Sequence, residues 1–406
     1  MTPASSLASW TDKSRVSGAH IDASACEACV VDRKTPTPLT PTPGGPLPQR
    51  RWHRWLGVQP IPDIHAVYAF FDKVAVHGVA VQVLSWPSTR YHLFWPRPLK
   101  LLLPALNHIV MIGGLLRTKP RQPIVVREFD SFWFLLVAAP FWFVRRRLVL
   151  NVNQNFACPV GQGPRARAFR LLSRIGFRFL WLDGGAALAD IRAHYPRLTV
   201  ATPLFPVTKH YSSTGDPRPN TPFTVGLVGY FRADKGGVAK AAALAQKLST
   251  IPGVQVAAGF WNDDQRDEFR RAAGAHIETC CTYDAADYHA FLDRCHAVVI
   301  VAERDAYYYR HSGILMDCIA HGTLPICPAY PVFESIVMRP VPVGAVYRPS
   351  ENLRCVVWRV LAQYDRLRAN FAVHAAVRNA GEVAAALEDM QPAERRAGSR
   401  AAIAVK

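Results

Sequence analysis

Short β-branched runs alternate with helical stretches along two successive halves of this chain, and nothing else in the sequence limits the fold as tightly. Parallel neighbouring strands need a crossover of a dozen or more residues between them, usually a helix. The second half reads most cleanly. Strands are predicted at Phe223–Tyr230 (FTVGLVGY), Val254–Phe260, His276–Tyr283, Ala297–Ala302 (AVVIVA) and Leu324–Cys327. Helices are predicted at Lys235–Thr250, Asp263–Ala272, Tyr288–Arg294, Gly313–Ala320 and Asn352–Asn370. In the first half, strands are predicted at Ala80–Trp86, Pro123–Phe129, Arg147–Asn153, Phe177–Leu182 and Leu198–Pro203. The helices among them are Ile64–Val79, Lys100–Arg117, Phe132–Val144, the basic Pro164–Ile175 and Ala186–His194. Between the halves runs HYSSTGDPRPNTP (His210–Pro222), dense in turn and breaker residues, which marks the domain boundary. The expected fold class is α/β: two Rossmann-like doubly wound domains, residues 56–215 and 219–372, facing a cleft. Disordered tails are expected at residues 1–55, rich in Pro and Thr, and 375–406.

Half of the 406 residues are AVILMFWYC and 19% are charged, enough apolar material for two cores. That excludes a mostly disordered chain, a coiled coil and a small disulfide scaffold. No apolar run reaches the length of a membrane span, and the first 20 residues lack the apolar stretch of a secretory leader. Nine scattered cysteines, with Cys280 and Cys281 adjacent, suit a reducing, cytoplasmic setting. Cys26 and Cys29 have metal-type spacing, but no second pair completes a zinc site, and none is expected.

The net charge of +18 is uneven. Arg90–Arg197 holds 17 Lys/Arg against four acids, densest at Arg145-Arg146-Arg147 and at Arg165, Arg167, Arg170, Arg174 and Arg178. Two readings stand: a surface for an anionic partner, or an ordinary solvated face in an Arg-rich chain. Nucleic acid is not an expected partner, because zinc-finger spacing, an RNP-type aromatic run and a helix-turn-helix are all missing.

Two segments carry chemistry. The first, Gly229-Tyr-Phe-Arg232-Ala-Asp-Lys235-Gly236, follows a strand and opens a helix. It sets two cations beside the positive end of that helix, where a phosphate is favoured. It is neither a GxGxxG fingerprint nor a Walker loop. The second runs from Tyr309 to Ile326. There Ser312 is the predicted N-cap of a helix, so the amides of Gly313 and its successors can meet an anion. That helix is apolar on nearly every side, so Asp317 within it needs hydrogen-bond donors. A ribose diol would supply two; a buried Arg or the backbone would serve as well.

The second segment resembles the donor-domain motif of GT-B glycosyltransferases, in particular the retaining family 4 group, whose pattern is Glu-Gly-Phe-Gly-x4-Glu-Ala-x-Ala-x-Gly-x-Pro-Val. Asp317 falls on the second Glu, whose family role is to hold the ribose. Ser312 falls on the glycine beside the phosphates, with Arg310 and Gly313 flanking it, and Tyr309 replaces the first Glu, which contacts the donor sugar. Gly229, Arg232 and Lys235 match the segment whose cations bind the diphosphate, and Pro331-Val-Phe-Glu334 resembles the loop ending in Glu. The resemblance implies a metal-independent, retaining transfer from a nucleotide-sugar co-substrate to a glycan or lipid-linked acceptor, with no other cofactor. Arg232 and Lys235 would stabilise the leaving diphosphate. Gly229, Arg310, Ser312, Gly313, Asp317 and Glu334 would bind the donor. Gln154 and Asn155, standing where the family has a His, are the acceptor-side candidates. A lipid-linked acceptor would place the protein in the cytoplasm at the inner face of the plasma membrane, in peripheral contact with anionic lipid.

Three rivals remain open. A GT-A transferase needs an acidic metal motif; DxD does not occur, leaving Glu303-Arg-Asp305 and Glu128-Phe-Asp130 as variants. A sugar-nucleotide epimerase is the second. The third is a catalytically degenerate GT-B protein that binds nucleotide or glycan, or scaffolds a partner enzyme.

Overall fold

The two alternating halves form two wholly parallel sheets. The computed structural model describes residues 82–84, 108–109, 124–126, 129–138, 148–152, 163–207, 222–229, 231 and 236–390, all within one contact unit. The first sheet runs in sequential order through β1 (Gln82–Leu84), β2 (Ile124–Val126), β3 (Leu148–Asn151), β4 (Arg178–Leu180) and β5 (Thr199–Ala201). Helices described in this half include α1 (Ser131–Ala138), α2 (Pro164–Ile175) and α3 (Leu188–His194). The first strand and the helices of this half otherwise expected before Pro123 lie mostly outside the described residues. So do residues 1–55.

The second sheet has six strands: β6 (Phe223–Gly229), β7 (Val254–Phe260), β8 (Glu278–Cys281), β9 (Ala297–Val299), β10 (Leu324–Pro328) and β11 (Ala345–Tyr347). Their order, β11-β10-β9-β6-β7-β8, reverses direction between β6 and β9. In an open parallel sheet such a reversal leaves a crevice beyond the strand carboxyl ends, where ligands bind. The connections carry α4 (Gly237–Ser249), α5 (Asp263–Ala273), α6 (Ala285–Arg294), α7 (Arg304–Tyr307), α8 (Gly313–Ala320) and α9 (Pro331–Met338). After β11 come α10 (Leu353–Ala362), α11 (Tyr364–Ala369), α12 (Phe371–Val377) and α13 (Ala380–Asp389).

Period-two alternation divides the second sheet between two cores. Val256, Ala258 and Val299 face one core with α4 and α10, whereas Ala257 and Val298 face another that is continuous with the first sheet. Helix ends follow local chemistry. Pro164 opens α2 and Gly176, at φ 90°, closes it. Asn262, Asp284, Asn352 and Asn379 each cap a helix through the side chain.

Three expectations are corrected. Pro331–Glu334, expected in a loop, is instead the first turn of α9, which Pro331 opens. The long helix over Asn352–Asn370 breaks at Gln363, whose φ −117° and ψ 17° are not helical. The tail expected from 375 contains α13, with Val383, Ala384 and Leu387 buried in the core shared with the first sheet. Its Ala/Arg/Glu composition has no strong apolar period, and tertiary burial supplies the order that composition does not. Among the described residues, no helix is long and apolar enough to cross a membrane.

Candidate functional site

Three structural features lie on segments that follow the carboxyl ends of the second sheet's strands, or pack against them. At the end of β6, Gly229 takes φ 124°, a conformation that L side chains rarely adopt. Gly236, at φ 79°, opens α4; a Cβ there would lie 2.8 Å from Glu303 Oε1. Glu303 follows β9 and accepts from Lys240 Nζ at 2.5 Å. These residues bracket the β6/β9 reversal. Arg232 and Lys235, the two cations expected between them, lie outside the described residues, as do Gln154 and Asn155.

The start of α8 is the second feature. Ser312 is its N-cap, at φ −114° and ψ 132°, but its hydroxyl makes no capping bond, unlike the side chains that cap α5, α6, α10 and α13. The first helical bond runs from Met316 N to Ser312 O at 3.3 Å. No described side chain therefore caps the foremost amides of α8, which begin at Gly313 and carry the positive end of the helix dipole. Arg310, just upstream, lays its guanidinium 5.0 Å from the centre of the Tyr307 ring. Within α8, Asp317 is buried, and its Oδ2 accepts the Tyr288 hydroxyl at 2.9 Å. Burial first, and Asp317 second, push the Tyr288 phenol well above the ordinary tyrosine range. A tyrosine thus supplies a donor that the sequence left open between ribose, Arg and backbone. Glu334, in the first turn of α9, is exposed, with its amide bonded to Tyr330 O at 2.8 Å.

The third feature is the seam where the first half meets α8, α9 and the carboxyl-terminal helices. Trp181 Nε1 donates to Tyr309 O at 3.3 Å, and the two rings meet edge-on at 6.3 Å. His311 packs edge-on against Phe205 at 4.8 Å. Its Nε2 is buried with no hydrogen-bond partner among the described residues. Burial, then the charge of Arg310, pull its pKa down to about 3, so the ring stays neutral near pH 7. Beside it, Asp183 and Arg378 are completely buried. Arg378 Nη1 and Nη2 reach the two Asp183 oxygens at 2.8 and 3.0 Å. Asp183 also accepts from Phe205 N and Ser335 Oγ, each at 2.9 Å. Arg378 donates further to Ser335 O at 2.7 Å and, through Nε and Nη2, to Arg339 O at 3.1 and 3.0 Å. Sequence reading missed this group, since a lone Asp and a lone Arg 195 positions apart give no local signal.

The acidic segments considered for a metal have other partners. Asp130 caps α1 through Phe132 N and Trp133 N at 3.0 and 3.2 Å, and pairs with Arg165 at 2.7 Å. Glu303 is held by Lys240.

No protein-family model matches the sequence, and no curated protein sequence matches it either. Solved structures do. The Anabaena protein HepE, crystallised with UDP and glucose, superposes with TM-score 0.56 at 13% identity, over 82% of this chain and 96% of that one. Sucrose-phosphate synthase from Thermosynechococcus elongatus gives 0.54 at 16%, over 73% and 79%. The catalytic domain of starch synthase IV from Arabidopsis thaliana, bound to ADP and acarbose, gives 0.51 at 11%, over 73% and 78%. The chain has the fold these proteins share, GT-B.

Proposed function

We propose that this protein is a glycosyltransferase that moves a sugar from a nucleoside-diphosphate donor to a glycan or lipid-linked acceptor, without a metal and with retention. The observation that carries the reading is the start of α8, a helix amino end left without a side-chain cap at the seam between the halves. As the glycosidic bond breaks, negative charge grows on the departing diphosphate, and fixed amides and cations stabilise it there. Ser312, Gly313 and Arg310 supply part of that field in this reading. The resemblance assigns Arg232 and Lys235 the rest. In the same reading Glu334 and Gly229 border the donor, and Gln154 and Asn155 are assigned to the acceptor by the resemblance alone. The UDP and glucose in HepE, and the ADP in starch synthase IV, make a nucleotide sugar the first ligand to test.

A thermal-shift panel of UDP-, ADP- and GDP-sugars tests the reading. A donor at about 100 times its dissociation constant stabilises the folded form by about 2.7 kcal/mol, a rise of several degrees. Transfer should persist in chelator. Arg232→Ala and Lys235→Ala should each lose on the order of 2–4 kcal/mol of transition-state stabilisation. Normal turnover in both would remove the site assignment.

One observation favours a second reading, a binding protein without catalysis. Tyr309 stands where the family has a carboxylate, and Trp181 holds it through the main chain and the ring. Nucleotide binding with no donor hydrolysis or transfer over long incubation would select this reading. The membrane contact is proposed on the aromatic-apolar stretch from Phe132-Trp133-Phe134 to Phe141-Trp142-Phe143, followed by Arg145-Arg146-Arg147, with the basic surplus extended by α2, where Arg165, Arg167, Arg174 and Leu171 are exposed. Flotation with anionic liposomes that does not weaken in high salt, or no flotation at all, would retire it.

A further inference from the structure

We propose that Asp183 and Arg378 are positioning residues for the nucleotide end of this site, holding α9 and the start of α8 in fixed places relative to the first half. The proposal rests on the glycosyl-transfer reading for its ligand, but its geometry stands on the seam alone.

The carboxylate of Asp183 receives four hydrogen bonds, from Phe205 N, Ser335 Oγ and two nitrogens of Arg378. The guanidinium of Arg378 in turn reaches Asp183, Ser335 O, Arg339 O and, at 3.4 Å, Phe205 O. Ser335 is therefore fixed twice, through its hydroxyl by Asp183 and through its carbonyl by Arg378. Its chain neighbour is Glu334, so the pair sets where that exposed carboxylate stands. Phe205 is fixed twice as well, through its amide by Asp183 and its carbonyl by Arg378. Its ring is the surface against which His311 packs, one residue before the N-cap of α8. A single ion pair thus governs both α9 and the approach to α8. Arg378 O also accepts Val207 N at 2.9 Å, which ties the segment after β5 to the same point.

Asp183 is moreover the one described non-glycine residue with a positive φ, 55°. A conformation of that kind persists where the surroundings over-determine it, and such places cluster at functional sites. A buried charge pair is weak evidence for stability but can specify one arrangement among several. The bidentate fork fixes both distance and angle, which a lysine cannot do.

The test uses the full-length protein with UDP and ADP as probes, at a temperature where circular dichroism shows each variant folded. Asp183→Asn keeps the shape but loses the charge; Ser335→Ala removes one donor and replaces it if Asp183→Asn does not fold. A folded variant should bind UDP or ADP at least 10-fold more weakly than wild type. Adding Glu334→Ala to it should cost less than Glu334→Ala costs the wild type, because coupled residues are not additive. Hydrogen exchange should quicken at residues 203–207, 311–315 and 331–339 while β6 and β7 stay protected. Wild-type affinity in a folded but less stable variant would overturn the proposal and leave the pair a structural element only. If wild type binds neither nucleotide, the transfer reading falls, and the exchange pattern decides alone. Local quickening in those three segments then supports positioning, and its absence or a uniform change overturns it.

Discussion

The pair Asp183–Arg378 and the start of α8 lie on one seam, joined through Phe205, yet they treat polar groups in opposite ways. At the first, every oxygen of the carboxylate and all three guanidinium nitrogens have partners. At the second, Ser312 leaves its helix without a side-chain cap, and His311 buries a nitrogen that has no partner among the described residues. A saturated network resists rearrangement; an unsatisfied one gains when something arrives to complete it. Under the proposed function, the contrast separates the part of the seam that holds geometry from the part that would meet the nucleotide.

The comparison can be broken most forcefully from the saturated side. Arg378→Ala leaves a buried carboxylate without its counter-charge and should cost about 3–5 kcal/mol of folding stability, read from urea midpoints. A loss below 1 kcal/mol would mean water reaches Asp183 and the network is not closed. The open side should show itself in acid. His311 has a folded pKa of about 3 against 6.5 unfolded, so the unfolded chain takes up a proton that the folded one refuses. Its contribution is complete above pH 6.5 and fades as pH falls toward 3, by up to about 1.4 kcal/mol per pH unit. His374, lowered to about 4 chiefly by burial, adds a second slope of the same sign. His311→Gln should flatten the decline between pH 6 and 4; an unchanged slope would show that His311 is hydrated.

Ser312→Asp sharpens the contrast further, because it supplies the missing cap from the chain itself. Folding stability should rise by about 0.5–2 kcal/mol while affinity for UDP falls, since the new carboxylate occupies the ligand's place. A rise in both would place the nucleotide elsewhere. As a control on an already capped helix, Asn379→Ala removes the acceptor for Gly381 N and Glu382 N. It should cost about 1 kcal/mol in thermal unfolding and leave nucleotide affinity untouched.

Much of the frame was readable from local pattern. Helix boundaries such as Pro164–Ile175 and Gly313–Ala320 coincide with the observed elements, because Pro164, Gly176 and Ser312 act within a few residues of themselves. The strand Ala345–Tyr347 went unread: three residues carry too little pattern, and only pairing with β10 makes them a strand. Ser312 and Gly313 could be picked out because an N-cap before an apolar helix is a local signal. Asp183, Ser335 and Arg378 could not, since their significance arises only when distant segments meet. The donor for Asp317 was equally hidden, since the phenol comes from another helix, α6.

The carboxyl-terminal helices have a consequence for how the molecule is made. Phe205 and Val207 are synthesised well before the Arg378 that holds both, which follows Phe205 by 173 positions. A nascent chain must therefore carry an unfinished amino-terminal half until Arg378 has emerged from the ribosome. Stalled or prematurely terminated products should be cleared by proteases with both halves exposed, rather than persist as a sound first half with a ragged end.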